Sequence, residues 1–166
     1  MSTLTQASLK ARLNYDPITG VFMHKTLPPM KARRTKLNEA RAGYFNGRYN
    51  VIGICGKSYL SHRLAWLYVY GKWPSNKIDH IDGNPLNNAI ANLRDVTQTV
   101  NLQNQKRANS TNKSSRLLGS YRNRQRWMSR ITVNGKDVYL GNFGTKEEAH
   151  AAYIKAKRTF HEGCTI

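Results

Sequence analysis

Only five acidic residues stand among positions 1–112, against 16 lysines and arginines, and three of the five, Asp79, Asp82 and Asp95, fall within 17 positions. A chain built to meet phosphate should keep carboxylates off that surface, so carboxylates retained there need a reason. A hard divalent cation supplies one. Carboxylate and amide oxygens suit Mg2+ or Mn2+, which would stand between the protein and a scissile phosphate. His80 adds a base, because neutral imidazole is matched to proton transfer near neutral pH. An amide such as that of Asn92 can decide which ring nitrogen bears the proton. The chemistry open to these residue types is phosphodiester hydrolysis. The run Ile78-Asp79-His80-Ile81-Asp82-Gly83-Asn84-Pro85-Leu86-Asn87-Asn88 also reads as an Asx-rich turn whose side chains bond backbone, and on the residues alone both readings stand.

The charge balance names the counter-surface. The chain carries 27 Lys and Arg against nine Asp and Glu, a net +18 over 166 residues. Residues 1–112 hold +11 of it and residues 113–166 hold +7, so the basic character is not a tail. A polyanion is the natural partner, since each phosphate neutralised releases condensed counterions. An anionic membrane would attract the same charge, but the sequence contains no apolar run long enough to span one and no signal peptide. A soluble, intracellular protein is expected. Cys55 and Cys164 are far apart and form no Cys-x-x-Cys pair, which argues against a zinc ribbon and for reduced thiols.

Several elements must position these residues. Leu4, Leu9 and Leu13 mark a short helix over 4–14, followed by the turn cluster Asp16-Pro17-Ile18-Thr19-Gly20 and a strand over 21–25. Residues 31–36 form a basic loop, either a solvated face or a phosphate contact. Residues 48–60 read as a hairpin turning at Gly56-Lys57. Gly56-Lys57-Ser58 is not a phosphate-binding loop, because the first glycine of that motif would fall at Val51. Ser61 is placed to cap a helix running to Tyr70, with Leu64, Ala65, Leu67 and Tyr68 on its apolar face and Gly71 as its stop. A strand over 92–97 and a helix capped by Thr97 and running to about Lys106 follow, and residues 107–115 read as a linker. Beyond it, alternation through Trp127, Ser129, Ile131 and Val133, the turn Asn134-Gly135 and a return strand over 137–140 predict a hairpin. Thr145-Lys146-Glu147-Glu148 is a capping box, and Ala149, Ala152, Tyr153, Ala156 and Phe160 share one helical stripe. This half is expected to be a three-stranded sheet backed by one helix.

The central run, continuing through Ala91-Asn92-Leu93-Arg94 and Val96-Thr97 to Asn101, resembles the HNH motif of phage and intron homing endonucleases. Leu60-Ser61-His62-Arg63-Leu64-Ala65 and Tyr15-Asp16-Pro17-x-Thr19-Gly20-x-Phe22 extend that resemblance over roughly residues 5–106. It implies a ββα-metal (His-Me finger) fold in which strand, loop, strand and helix grip one divalent ion, Mg2+ or Mn2+. By the same resemblance Asp79 and Asn101 would ligate the metal, His80 would be the general base, and Asn92 would orient His80 or brace the loop. Asn101 falls in the first turn after the Thr97 cap, which suits that role. Neighbours on a regular strand point to opposite faces, so Asp79 and His80 serve one site only if the strand ends or bends there. Asp82 and Asn84 read first as loop-formers. His62 reads as a packed histidine or, less simply, a phosphate contact. Asp95 departs from the family, whose members often carry an aromatic there.

Gly119-Ser120-Tyr121, Trp127-x-Ser129-x-Ile131, Gly135-Lys136, Leu140-Gly141-x-Phe143-x-Thr145-x-Glu147-Glu148-Ala149 and Ala152-Tyr153 resemble an AP2 domain over about residues 116–160. That family lays a three-stranded sheet in the DNA major groove. Met128, Arg130 and Thr132 would face outward beside Arg122, Arg124 and Arg126, with a solubilising face as the plainer role for these arginines. The loop before Trp127 is a residue shorter than in plant members, so base preference does not carry over.

The expectation is an α+β chain with an HNH nuclease domain over 1–106, a linker over 107–115 and an AP2-like DNA-binding domain over 116–166. Its function would be metal-dependent cleavage of double-stranded DNA, with no membrane and no protein partner implied, as monomer or dimer, in the host cytoplasm if phage-encoded. The alternative is a non-catalytic, sequence-specific DNA-binding regulator on a degenerate HNH fold. On this division, removing residues 116–166 costs affinity and site choice rather than chemistry.

Overall fold

The computed structural model describes residues 4–25 and 41–166, and the basic stretch 31–36 lies outside the described residues. The chain divides into two compact units, Met1–Val96 and Thr97–Ile166, both mixing helix and strand.

The first unit opens with α1 (Gln6–Arg12), whose N-cap Thr5 accepts the Ser8 N–H. The helix is shorter than its leucine spacing suggests, because Leu13 turns extended and begins β1 (Leu13–Tyr15), which pairs antiparallel with β2 (Phe22–His24). The turn between them is held by Asp16, whose carboxylate accepts the Ile18 N–H at 2.9 Å and the Thr19 hydroxyl at 2.7 Å. An antiparallel sheet of β3 (Tyr44–Phe45), β4 (Asn50–Ile54) and β5 (Lys57–Leu60) follows. Its second hairpin turns at Cys55-Gly56, one residue before the predicted position, with both residues left-handed at φ 49° and 74°. That is the backbone a two-residue hairpin demands.

Helix α2 (Ser61–Tyr70) runs over the predicted span and ends at Gly71, left-handed at φ 74°, whose N–H reaches the Leu67 carbonyl. Ser61 does not cap it. Leu60 holds the cap position and Ser61 is the buried first residue of the helix. Leu64, Ala65 and Leu67 pack with Leu9, Leu13, Tyr15, Phe22, Ile52, Ile54 and Leu93 in one core, which burial of apolar surface holds together. On it rests a hairpin of β6 (Lys77–His80) and β7 (Leu93–Val96), joined by a long loop that ends in a 3-10 turn, Ile90–Asn92. Asp95 anchors the approach to this hairpin, accepting the Ser75 and Asn76 N–H groups at 2.7 and 2.8 Å. The residue that departs from the family pattern is thus a brace.

The second unit begins with α3 (Gln98–Gln103), capped by the Thr97 hydroxyl as predicted but ending at Gln103. Residues 107–115 form turns in which Asn112 Nδ2 reaches the Leu117 and Ser120 carbonyls. Then β8 (Ser120–Asn123), β9 (Arg126–Val133) and β10 (Lys136–Phe143) form an antiparallel sheet in the order β10-β9-β8. The β9–β10 turn is Asn134-Gly135, with both φ positive. Helix α4 (Lys146–Phe160) carries the full capping box of Thr145 and Glu148. Ser129, Ile131 and Ala149 meet at the buried face between sheet and helix. Phe160, placed on that stripe from the sequence, is 51% exposed, and Lys157 is buried instead.

Candidate active site

Strand β6 ends at His80, and the turn that ends it brings two neighbours inward together. Gly83 N–H bonds the His80 carbonyl at 2.8 Å, and Ile81 N–H reaches across to Asn92. Asp79 and His80 are accordingly both buried, at 6% and 7% exposure, although a continuing strand would set one of them outward. Asp79 pairs in register with Arg94, whose Nε and terminal nitrogen both lie 2.8 Å from Asp79 Oδ2. This grip holds the carboxylate in one orientation.

Asn88 and His62 both face the His80 ring. Its Nε2 lies 3.2 Å from Asn88 Oδ1. Asn88 Nδ2 faces the Leu86 carbonyl, which turns the amide oxygen toward the ring. In the neutral imidazole the proton then sits on Nε2 and the lone pair on Nδ1. The His62 ring meets His80 edge-on, centroids 5.1 Å apart, and is itself met by Tyr49 at 5.2 Å. Burial, then the charges of His80 and Arg63, push the His62 pKa down to about 3, so His62 is a neutral packing partner. Burial also lowers His80, opposed by the Asn88 hydrogen bond and the charges of Asp82 and Asp79.

Asn92 does not touch His80. Its amide spans the loop: Nδ2 donates to Asp82 Oδ1 at 3.0 Å and to the Asn87 carbonyl at 2.8 Å, while Oδ1 accepts the Asp82 N–H at 2.9 Å. Asp82 and Asn84 shape the same loop, accepting the N–H groups of Asn84 and Leu86. Burial raises the Asp82 carboxyl, but the Asn84 N–H, the Asn87 and Asn92 amides and the His80 charge outweigh it and hold Asp82 below its ordinary value.

The N-terminal turn reaches the residue that orients His80. The Tyr15 hydroxyl donates to the Asn88 carbonyl at 2.7 Å, and Ile90 N–H bonds the Pro17 carbonyl. Gly20, at φ 72°, lies so close to Asn88 that a Cβ would stand 2.2 Å from its carbonyl carbon. Asn88 is 1% exposed. Asn88 lies in the Ile78–Asn88 run and Tyr15 and Gly20 in the N-terminal motif, and nothing in the sequence marks them as neighbours. Gly20→Ala is expected to destabilise the protein by about 1–2 kcal/mol from the left-handed backbone alone, with displacement of Asn88 adding to it. Urea melts check this, and a variant as stable as the parent would contradict the close approach.

Asn101 lies in α3 of the second unit, half-buried. Among the described residues no group of three or more His, Cys, Asp or Glu could hold a metal. Carboxylate and amide oxygens are donors of the kind a hard divalent cation takes.

The C-terminal sheet separates the six outward candidates. Met128, Arg130 and Thr132 pair in register with Tyr121, Tyr139 and Asp137 and share one face with Arg126. Arg130 is paired with Asp137 at 3.1 Å and lies over the Tyr121 ring. Arg122 pairs in register with Trp127 and lies over its ring, on the side that faces the helix, and Arg124 sits in the turn at φ 51°. The outward face is therefore mixed aromatic, amide and charge-paired, because strand register, not proximity in sequence, decides which side chains share it.

Residues 59–103, from the end of β5 through α3, match the family model described as HNH endonuclease. The chain is 33% identical over 103 residues to "Protein 3.8" of Escherichia phage T7, covering 60% of this chain and 83% of that one. It is 33% identical over 116 residues to "Uncharacterized HNH endonuclease L560" of Acanthamoeba polyphaga mimivirus, covering 69% of this chain and 59% of that relative. No solved structure matches. Among the described residues no helix is long and apolar enough to cross a membrane. With an HNH endonuclease domain at residues 59–103, the chain belongs to one family with protein 3.8 of Escherichia phage T7.

Proposed function

We propose that the protein is a metal-dependent endonuclease that hydrolyses phosphodiester bonds of double-stranded DNA, in the manner of phage homing endonucleases. The observation that carries the reading is the buried His80, held through Nε2 by Asn88 beside an Arg94-gripped Asp79, inside the segment that matches the HNH endonuclease family. His80 is the general base: Nδ1 accepts a proton from the attacking water while Nε2 keeps its bond to Asn88, which also steadies the imidazolium that forms. Asp79 and Asn101 would hold one Mg2+ or Mn2+. A cation held there would supply neutralisation of the charge that gathers on the phosphate and on the departing 3′ oxygen. Asn92 keeps the loop that carries Asn88 in shape. The product carries a 5′ phosphate, and one such centre cuts one strand.

The nuclease reading extends over residues 1–106, and residues 116–166 form an AP2-like DNA-binding domain. Arg126, Met128, Arg130 and Thr132 supply its outward contacts, with Arg122 and Arg124 at the margin reaching phosphate. The net +18 supports a nucleic-acid partner for both parts.

The test is cleavage of supercoiled plasmid. With Mg2+ or Mn2+ the plasmid should pass to open-circle or linear form, and EDTA should stop it completely. Cleavage unaffected by EDTA would remove the metal from the reading. DNA binding without cleavage, on plasmids carrying a broad set of sequences, would remove the nuclease.

A further inference from the structure

We propose that the C-terminal tail, residues 161–166, is a strap that holds helix α3 in shape and with it the backbone that carries Asn101. The proposal rests on the assignment of Asn101 as a metal ligand. It reverses the expectation that removing residues 116–166 spares the chemistry.

Helix α3 has only six residues. A helix this short does not hold its shape in water, because nucleation costs more than so few hydrogen bonds return. Thr97 supports its start. At its far end the Asn104 N–H reaches the Val100 and Asn101 carbonyls and the Gln105 N–H the Leu102 carbonyl, and residues 157–165 bond the groups that make this turn. Gly163 N–H donates to Gln103 Oε1 at 3.0 Å, and the Thr165 hydroxyl donates to Asn104 Oδ1. Lys157 Nζ donates to the Gln105 carbonyl. Lys157 and Asn104 are 1% and 4% exposed, so these bonds lie away from water, where losing a partner is costly. Gly163 presses on the helix itself: a Cβ there would lie 2.2 Å from the Val100 carbonyl oxygen. Only glycine allows this approach.

The tail is anchored in turn. His161 Nε2 lies 2.9 Å from the Thr132 carbonyl of β9, Cys164 N–H bonds the His161 carbonyl, and Arg158 Nε bonds the Ile166 carbonyl. A set of bonds therefore runs from the end of β9, through the tail, to the helix that bears Asn101.

The experiment compares full-length Gly163→Val, Thr165→Val, Thr165→Ser and Asn101→Ala with the parent. Each is tested for cleavage of supercoiled plasmid in Mn2+ at saturating DNA, for DNA affinity, and for amide hydrogen exchange over residues 98–105. Gly163→Val and Thr165→Val should cut at least tenfold more slowly, with affinity within about twofold. Both should exchange faster over 98–105, while β8–β10 stay protected. Thr165→Ser keeps the hydroxyl and should restore cleavage and protection. Thr165→Val carries the test if Gly163→Val does not fold. Tail variants that keep full cleavage and protection, beside an inactive Asn101→Ala, would overturn the strap and leave the metal assignment standing. An Asn101→Ala variant that cuts like the parent would overturn that assignment, and the proposal with it, whatever the exchange shows.

Discussion

Replacing His80 with alanine is expected to slow DNA cleavage by about 10²–10⁴-fold, the usual worth of a positioned general base, while leaving DNA affinity within about twofold. The separation follows from placement. His80 is buried at the end of β6, against Asn88 and His62. Affinity for DNA comes mainly from cations spread over both halves of the chain, and those remain. The measurement is plasmid cleavage in Mn2+ beside a binding titration at the same salt. Alanine leaves a small cavity at a site already packed by His62, so a thermal melt should accompany the assay. If affinity fell as far as cleavage in a folded variant, His80 would be a DNA contact and not the base.

Asn88→Ala carries the second large effect, a loss of cleavage of about 10–100-fold with His80 intact, the range found when a group that orients a catalytic or metal-binding side chain is removed. Asn88 Oδ1 decides which imidazole nitrogen is protonated and keeps the ring from turning. Without it, a neutral His80 distributes its proton over both nitrogens, and a fraction of the molecules presents the wrong one. Nitrogen NMR of the His80 ring should report a single Nε2-protonated tautomer in the parent and a mixture in the variant. Affinity for DNA should not change. An Asn88→Ala protein that cleaves at the parent rate would show that ring packing against His62 suffices to aim the base.

Much of this arrangement was legible in the residues. The Thr145–Glu148 capping box, the Asn134-Gly135 turn, the Gly71 stop and the Thr97 cap stand where the sequence predicts them. Each is decided by bonds between residues no more than four or so apart, which the chain makes whatever surrounds it. The same holds for the alternation that turns Ser129 and Ile131 toward the helix. The small errors are local competition. Ser61 is polar and stands at a helix start, but Leu60 takes the cap position because Ser61 is drawn into the core.

What only the tertiary structure decided is which distant groups meet. Sequence left Asn92 either to orient His80 or to brace the loop, and in the fold it bonds Asp82 and Asn87 across the loop while Asn88 faces His80. Tyr15 is 73 positions from Asn88 and shares a buried hydrogen bond with it. Asp95 braces residues 19 and 20 positions away, and Lys157 lies buried because the Gln105 carbonyl stands 52 positions back. Local patterns settle the conformation of each segment, since backbone sterics and hydrogen bonds act over a turn or a strand pair. Which segment supplies the partner of a buried polar group depends on where packing closes the chain. That choice sets the tautomer of His80 and the support of the helix bearing Asn101.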